Sequence, residues 1–392
     1  MSGGTEQPIG DISRLAELGG IFARHGAKSL GNILGITPHP DADITPEQLR
    51  PKSTVALLRD IGPVGVKLGQ LLATRGDLFS DEWIDALASL QDRVEPLPFT
   101  SIEPVLVASW GENWEEEFTA FEREPMASAS IAQTYAATLP DGSDVIVKVR
   151  RPGTAARLEA DMRLLVRLAG ATERRSSDIA HYRPVEFLQT FGKNLTREMD
   201  LAAEARACER IGGYLETLGA KTPVIHWHLT GLRVNVQERL PGIPASQIDR
   251  ATDSEHNAVF ARRYADAVLR MMILNGEFHG DPHPGNVFRI AADKVGFIDF
   301  GAIGYLSGAR RQEIIRLIFG IADEQTEDVA DLLLHWADNP AVDRGQFAID
   351  LGQLIEEFRG TVLSGIEFSV IFDRVFGLLR EYRLVLPPDL AI

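Results

Sequence analysis

The apolar positions change their spacing as the chain proceeds. Near the start they recur at helical intervals, with Ile12, Leu15, Leu18, Ile21 and Phe22 on one face. A second helical stretch is predicted over 53–75, interrupted by Gly62-Pro63. Ser80 suits an N-cap. Asp81 and Glu82 follow in the first turn, where the helix dipole favours acids, and Ile84, Leu87 and Leu90 form an apolar stripe. From about residue 118 the period shortens. Segments 118–126 and 131–139 read as short strands, Asp141-Gly142 as a hairpin turn, and 144–150 as a β-branched strand stopped by Pro152-Gly153. Helices are predicted over 154–171 and 184–218, then strands over 223–228 and 233–239. After Pro241-Gly242 the pattern is helical to the end, apart from 279–301. There Pro282, Pro284, Gly285 and a short apolar run over 295–298 spell loop, strand, loop.

This order predicts an α+β chain in three parts. A helical N-terminal extension covers 1–117, a strand-rich unit with a long helix covers 118–240, and a helical unit with one loop-strand-loop insert covers 241–392. No internal repeat or low-complexity segment interrupts it. A chain of 392 residues exceeds one typical domain, and 44% apolar content suffices for sizeable cores. A formal net charge of −16 argues against nucleic acid as the main partner, because a duplex binder needs clustered cations. It leaves room for a bound cation, or for an anion in a local basic pocket. Cys208 is the sole cysteine, which excludes an intrachain disulfide and fits a reducing compartment. The N-terminus lacks the basic start and apolar stretch of a secretion signal, and no apolar run reaches membrane-spanning length. A cytoplasmic location is expected, with peripheral membrane association left open. Residues 384–392 read as a turn entering a helix, so the chain is expected to continue.

Four segments carry candidate chemistry. The first runs from Phe278 through His279-Gly280-Asp281-Pro282-His283-Pro284-Gly285-Asn286, with Asp299-Phe300-Gly301 downstream. Phosphoryl transfer needs cations to neutralise spreading charge and an acceptor near the attacking hydroxyl. Asp281 reads as the base or orienting residue. Asn286 and Asp299 supply the hard oxygens that suit Mg²⁺, an ion that keeps some of its water. The prolines restrict the residues before them and would stiffen the loop. The second segment is the strand bearing Lys148. Alone, such a lysine reads as an exposed edge position. Upstream of the acidic loop, it fits the role of neutralising nucleotide phosphates, held by a glutamate on a helix. Glu198 and Asp200 form a Glu-x-Asp cluster, and Glu204 lies six residues beyond Glu198. Glu204 is favoured as the partner, although this stretch also reads as a solvated face. The third segment, Ala127-Ser128-Ala129-Ser130, lies between the first two strands, where small residues let backbone N–H groups approach phosphates. The fourth is Gly62 to Gln70. Lys67 and Gln70 share a helix face, and Gly65 and Gly69 permit close approach by another element.

Together these segments resemble the UbiB (AarF) atypical kinases of the protein-kinase-like superfamily, from about Ser53 to Gly301 and more weakly beyond. The resemblance implies a bilobal kinase-like fold binding ATP and Mg²⁺. The family's Lys-x-Gly-Gln motif matches Lys67 and Gln70, its Ala-rich loop 127–130, its strand lysine Lys148, and its Glu-x-Asp motif Glu198 and Asp200. Its catalytic and metal-binding residues match Asp281, Asn286 and Asp299. It implies that the Lys67 helix folds over the site where a protein substrate would lie, that the activity is ATPase-like, and that the pathway is ubiquinone or another isoprenoid lipid. The loop departs from the family's usual Ala-Ala-Ala-Ser, and Ser128 is expected to offer a phosphate one more hydrogen bond. Three functions stay open on the residues alone: an atypical kinase or ATPase with a lipid-like or protein acceptor, a small-molecule phosphotransferase, and a nucleotide-gated scaffold without turnover.

Overall fold

Glycine and proline set the first packing decision. The computed structural model describes Arg14, Glu17, Leu18, Gly20 and Ile21 near the start, then 51–90, 94–176, 180–249, 254–337, 342–357 and 368–387. Ile12, Leu15, Phe22 and residues 388–392 lie outside the described residues. The predicted helix over 53–75 is two helices, α1 (Pro51–Ile61) and α2 (Pro63–Ala73). Gly62 adopts φ +99°, which an L side chain rarely tolerates, and Pro63 opens α2 at a position where its missing N–H costs nothing. A Cβ at Gly65 would stand 2.1 Å from the Leu58 carbonyl oxygen, so only glycine lets α2 lie this close to α1. With α3 (Asp81–Ala88) they bury Leu57, Leu58, Ile61, Val66 and Leu87 against Leu18 and Ile21.

After α4 (Phe99–Trp110) comes an antiparallel sheet. The stretch expected as one strand over 118–126 is split. Two short pieces, β1 (Ala120–Phe121) and β2 (Ala127–Ser128), both pair with β3 (Ala132–Thr138). β4 (Asp144–Arg150) and β5 (Val234–Glu238) complete the sheet. Side chains alternate across a strand, so burial of Val145, Val147 and Val149 against Ile102, Leu106 and Trp114 sends Lys148 to the opposite face. The strand expected over 223–228 reduces to one bridge between Ile225 and Gln237. Around that bridge His226 N donates to Val236 O and Glu238 N to Val224 O, while Val224 N goes to the Glu238 side chain and Leu229 N closes a turn on His226 O.

Following α5 (Thr154–Glu173), the helix expected over 184–218 is also two, α6 (Pro184–Glu198) and α7 (Leu201–Thr217). Asp200 breaks it by leaving helical geometry and accepting from Ala202 N and Ala203 N at 3.0 Å each, a side-chain N-cap. The remaining strands are β6 (Ile243–Pro244), β7 (Glu277–His279), β8 (Val287–Ala291), β9 (Lys294–Phe297) and β10 (Ile303–Tyr305). The buried face of α7 (Ala205, Cys208, Ile211, Leu215) packs on Val287, Val295 and Phe297 and on α8 (Ser254–Arg270). Ser307 caps α9 (Gly308–Ala322), and α10 (Thr326–Ala337), α11 (Arg344–Glu357) and α12 (Phe368–Glu381) follow. Residues of α10 to α12 and Leu384 bury a further core. Among the described residues no helix is long and apolar enough to cross a membrane.

The C-terminal end of the described residues docks just after α2. Arg75 and Asp77, both buried, form a two-pronged ion pair at 2.7 and 2.6 Å. Asp77 also accepts from Leu386 N at 2.9 Å, and Arg75 donates to Leu386 O at 3.2 Å. Arg380 donates to Phe79 O at 3.0 Å. Removing one partner of a buried pair leaves an uncompensated charge, so Asp77→Ala should lower unfolding free energy by about 3–5 kcal/mol. Urea melts of the variant and wild type test this; a loss under about 1 kcal/mol would show the staple to be idle.

Candidate functional site

The outward face of β4 and the first turns of α7 converge. In register, Lys148 lies between Thr134 on β3 and Asn235 on β5. Its Nζ donates to Glu204 Oε1 at 2.7 Å and to Asp299 Oδ1 at 2.9 Å. Glu204 is buried, whereas the Asp299 side chain keeps 44% of its surface exposed. Burial works against every charge in this cluster. It pushes the Glu204 carboxyl up to about 7, although the Lys148 ammonium pulls it down. It would raise Asp299 as well, but the charge of Lys148 outweighs it and holds that carboxyl well below the usual range. It would lower Lys148, yet the two carboxylates keep it above an ordinary lysine. One fixed cation thus serves two anions that repel each other, and the more deeply buried anion bears the cost.

Asp299 is one of few non-glycine residues with positive φ, at +61°. Such a backbone costs of order 1–3 kcal/mol and persists only where its surroundings hold it. His279 provides much of that hold. Its Nδ1 accepts from Asp281 N at 3.1 Å, so Nε2 carries the proton and donates to Ile298 O at 2.8 Å. Its ring lies 5.0 Å from that of Phe300. Asn286 completes the frame: Nδ2 donates to Asp281 O at 3.1 Å, and its backbone carbonyl accepts from Ile298 N at 2.9 Å. Tyr264 donates to Pro282 O at 2.8 Å. The backbone on both sides of Asp281 is therefore bonded, and its carboxylate is presented to the cleft that Lys148, Glu204, Asn286 and Asp299 also line. Lys67 reaches the same cleft from α2, with Nζ 3.1 Å from Glu198 Oε2.

Other sequence candidates stand elsewhere. Gln70 donates to Leu90 O at 3.2 Å and does not line the cleft. Three helical positions place two side chains about 60° apart, enough for Lys67 to enter while Gln70 turns to α3. Asp200 is spent as the cap of α7 and as the partner of Arg206. In the small-residue loop only Ala129 lines the cleft. Ala129 N donates to Ala132 O at 2.9 Å in a tight turn, and Ala127 and Ser128 are paired into β2. Ser130 is buried, and the Ser128 hydroxyl accepts from Arg151 at 2.9 Å, a bond that leaves its own O–H as a donor. The sequence reading missed Arg151 as the brace of this loop and His279 as its counterpart below. A histidine two residues before Asp281 was the available signal.

The donor set fits a magnesium nucleotide. Among the described residues no group of three or more His, Cys, Asp or Glu could hold a metal alone. One carboxylate and one amide oxygen suit an ion that takes one or two protein ligands and finds the rest in water and phosphate. Lys148 and Lys67 supply positive charge beside them.

A family profile described as the ABC1 atypical kinase-like domain matches residues 89–333. A probable protein kinase UbiB from Marinobacter nauticus is 32% identical over 342 residues, covering 86% of this chain and 62% of the relative. One from Pseudomonas putida is 31% identical over 345 residues, covering 86% and 63%. The chain thus spans less than two thirds of the length of these curated relatives. Among solved structures, the complex of Rv3197 with erythromycin from Mycobacterium tuberculosis has a similar fold, with TM-score 0.55, 21% identity and coverage of 96% and 97%.

Burial lowers the pKa of His279, so its ring should stay neutral where a free histidine, at about 6.5, is half protonated. Nitrogen-15 NMR of the ring should report the Nε2–H form throughout the approach to pH 6. A titration at or above the free value would contradict the described bonding.

Proposed function

The chain belongs to the ABC1, or UbiB, family of atypical kinase-like proteins, and from that premise we propose that it binds ATP with Mg²⁺ between β4, α7 and the Asp281–Asp299 loops. It acts there as a phosphotransferase or ATPase linked to ubiquinone or other isoprenoid-lipid metabolism. The observation that carries this reading is the convergence of Lys148, Glu204 and Asp299 at hydrogen-bond distance from three separated segments. Bound Mg-ATP supplies a γ-phosphoryl group made electrophilic by its metal. Asn286 and Asp299 would hold that metal. Lys148, fixed from behind by Glu204, offsets the charge of the phosphates. Asp281 accepts a proton from the attacking hydroxyl or water, or orients it, on a loop whose backbone His279 and Asn286 keep still.

The cleft measures about 70 Å³, well under the roughly 300 Å³ at the low end of ligand pockets. Nucleotide entry therefore requires widening, and the Lys67–Glu198 pair across it is the contact that must part.

Purified protein should release phosphate from Mg-ATP. Asp299→Asn and Lys148→Ala should each reduce release by about a hundredfold or more. Saturating Mg-ATP, at about 100 times Kd, should stabilise wild type by about 2.7 kcal/mol in a thermal melt. Equal background release from all three proteins, with no nucleotide shift, would end the reading. A shift without release would leave the scaffold alternative.

A further inference from the structure

Residues 94–97 lie between α3 and α4 in sequence, and they are strapped to the small-residue loop that borders the nucleotide cleft. The strap centres on Gln133, fully buried on β3 beside Tyr135. Its amide is used like the backbone of a neighbouring strand. Leu97 N donates to Oε1 at 2.7 Å, and Nε2 donates to Leu97 O at 3.2 Å. The second Nε2 hydrogen goes to the Tyr135 hydroxyl at 2.8 Å. Apolar bulk alone would fill this core position, but it would leave the Leu97 N–H and C=O unpaired. The amide therefore serves the strap. Arg151 makes a second tie. Both of its Nη atoms donate to Glu95 O at 3.2 Å, and Nη1 also donates to Ser128 Oγ at 2.9 Å and Ala129 O at 3.4 Å. Val94 N donates to Ser128 O at 3.2 Å. Ser128 is the register partner of Gln133, and Ala129, next in sequence, lines the cleft. From the other side, Val64 of α2 shares a buried cluster with Ile131 and Ala132 at the foot of the loop. Lys67, three residues further along α2, lines the same cleft.

We infer that Gln133 is a positioning residue for the phosphate-facing loop. Through Leu97 it couples the helical extension to Ala129, so that α2, residues 94–97 and the loop move as one lid when the cleft widens. A fully bonded buried polar network is stiff, which is what such a coupling needs. What the lid admits rests on the nucleotide reading above, whereas the coupling rests on the bonds themselves.

The test is hydrogen–deuterium exchange of the nucleotide-free protein, read by mass spectrometry with fragmentation to short segments. Gln133→Met keeps the side-chain bulk and removes the amide. Segments 94–98 and 127–132 should then both exchange at least about tenfold faster, while Val147 and Val236 in the sheet keep their wild-type protection. Arg151→Met, at a half-buried position, should give the same two-segment signature, and it carries the test if Gln133→Met fails to fold. Faster exchange confined to Leu97, with 127–132 protected as in wild type in both variants, would reduce Gln133 to packing and overturn the coupling. In a phosphate-release assay, Gln133→Met should raise KM for Mg-ATP by about fivefold, the equivalent of one lost hydrogen bond, with a smaller change in kcat. An unchanged KM despite a loosened loop would overturn the positioning role. A wild-type protein that neither binds nor hydrolyses Mg-ATP would end the nucleotide reading, and the exchange pattern would still decide the coupling.

Discussion

One ammonium group shared by two carboxylates organises this molecule. Lys148 comes from the sheet, Glu204 from a helix 56 residues later, and Asp299 from a loop 151 residues later. None of the three is comfortable alone. A buried lysine, a buried glutamate and an aspartate in left-handed geometry each carry a cost of order kcal/mol. They become acceptable only as a set, and the set exists only if β4, α7 and the loop after β9 are folded against one another.

Much of the remaining architecture supports that set. The alternation of Val145, Val147 and Val149 into the core turns Lys148 the other way. Asp200 interrupts what would otherwise be one helix and starts α7 so that Glu204 comes up under the lysine. His279 and Asn286 lock the loop that leads into Asp299. The polar residues that touch the cleft are few, and most of the neighbouring ones hold backbone in place.

The sequence was legible where a local pattern has a local cause. The alternating strand around Lys148, the Asp141-Gly142 turn and the loop-strand-loop around Asp299 all follow from periodicity and turn chemistry. What could not be read depends on competition between distant groups. The apolar period runs unbroken through 184–218, so nothing in it signals that the Asp200 carboxylate takes the first N–H groups of a new helix. Segment 223–228 has strand-like residues, but it forms a single bridge to β5, and its Val224 N–H goes to the Glu238 side chain. Lys67 and Gln70 share a face in sequence, and only the position of α3 separates their destinations. Arg75 and Asp77 look like ordinary surface charges until a segment some 300 residues away closes over them.

The packing of α7 has a mechanical consequence. Its far end is seated on β8, β9 and α8, and the segment after it exchanges backbone bonds with β9, Lys221 N to Val295 O and Phe297 N to Lys221 O. The helix that carries the counter-ion of Lys148 is thus anchored to β8, β9 and α8. It cannot swing outward with the sheet as an on–off toggle without tearing that anchorage. Any opening motion must instead hinge the sheet away from α7 or lift α2 from above.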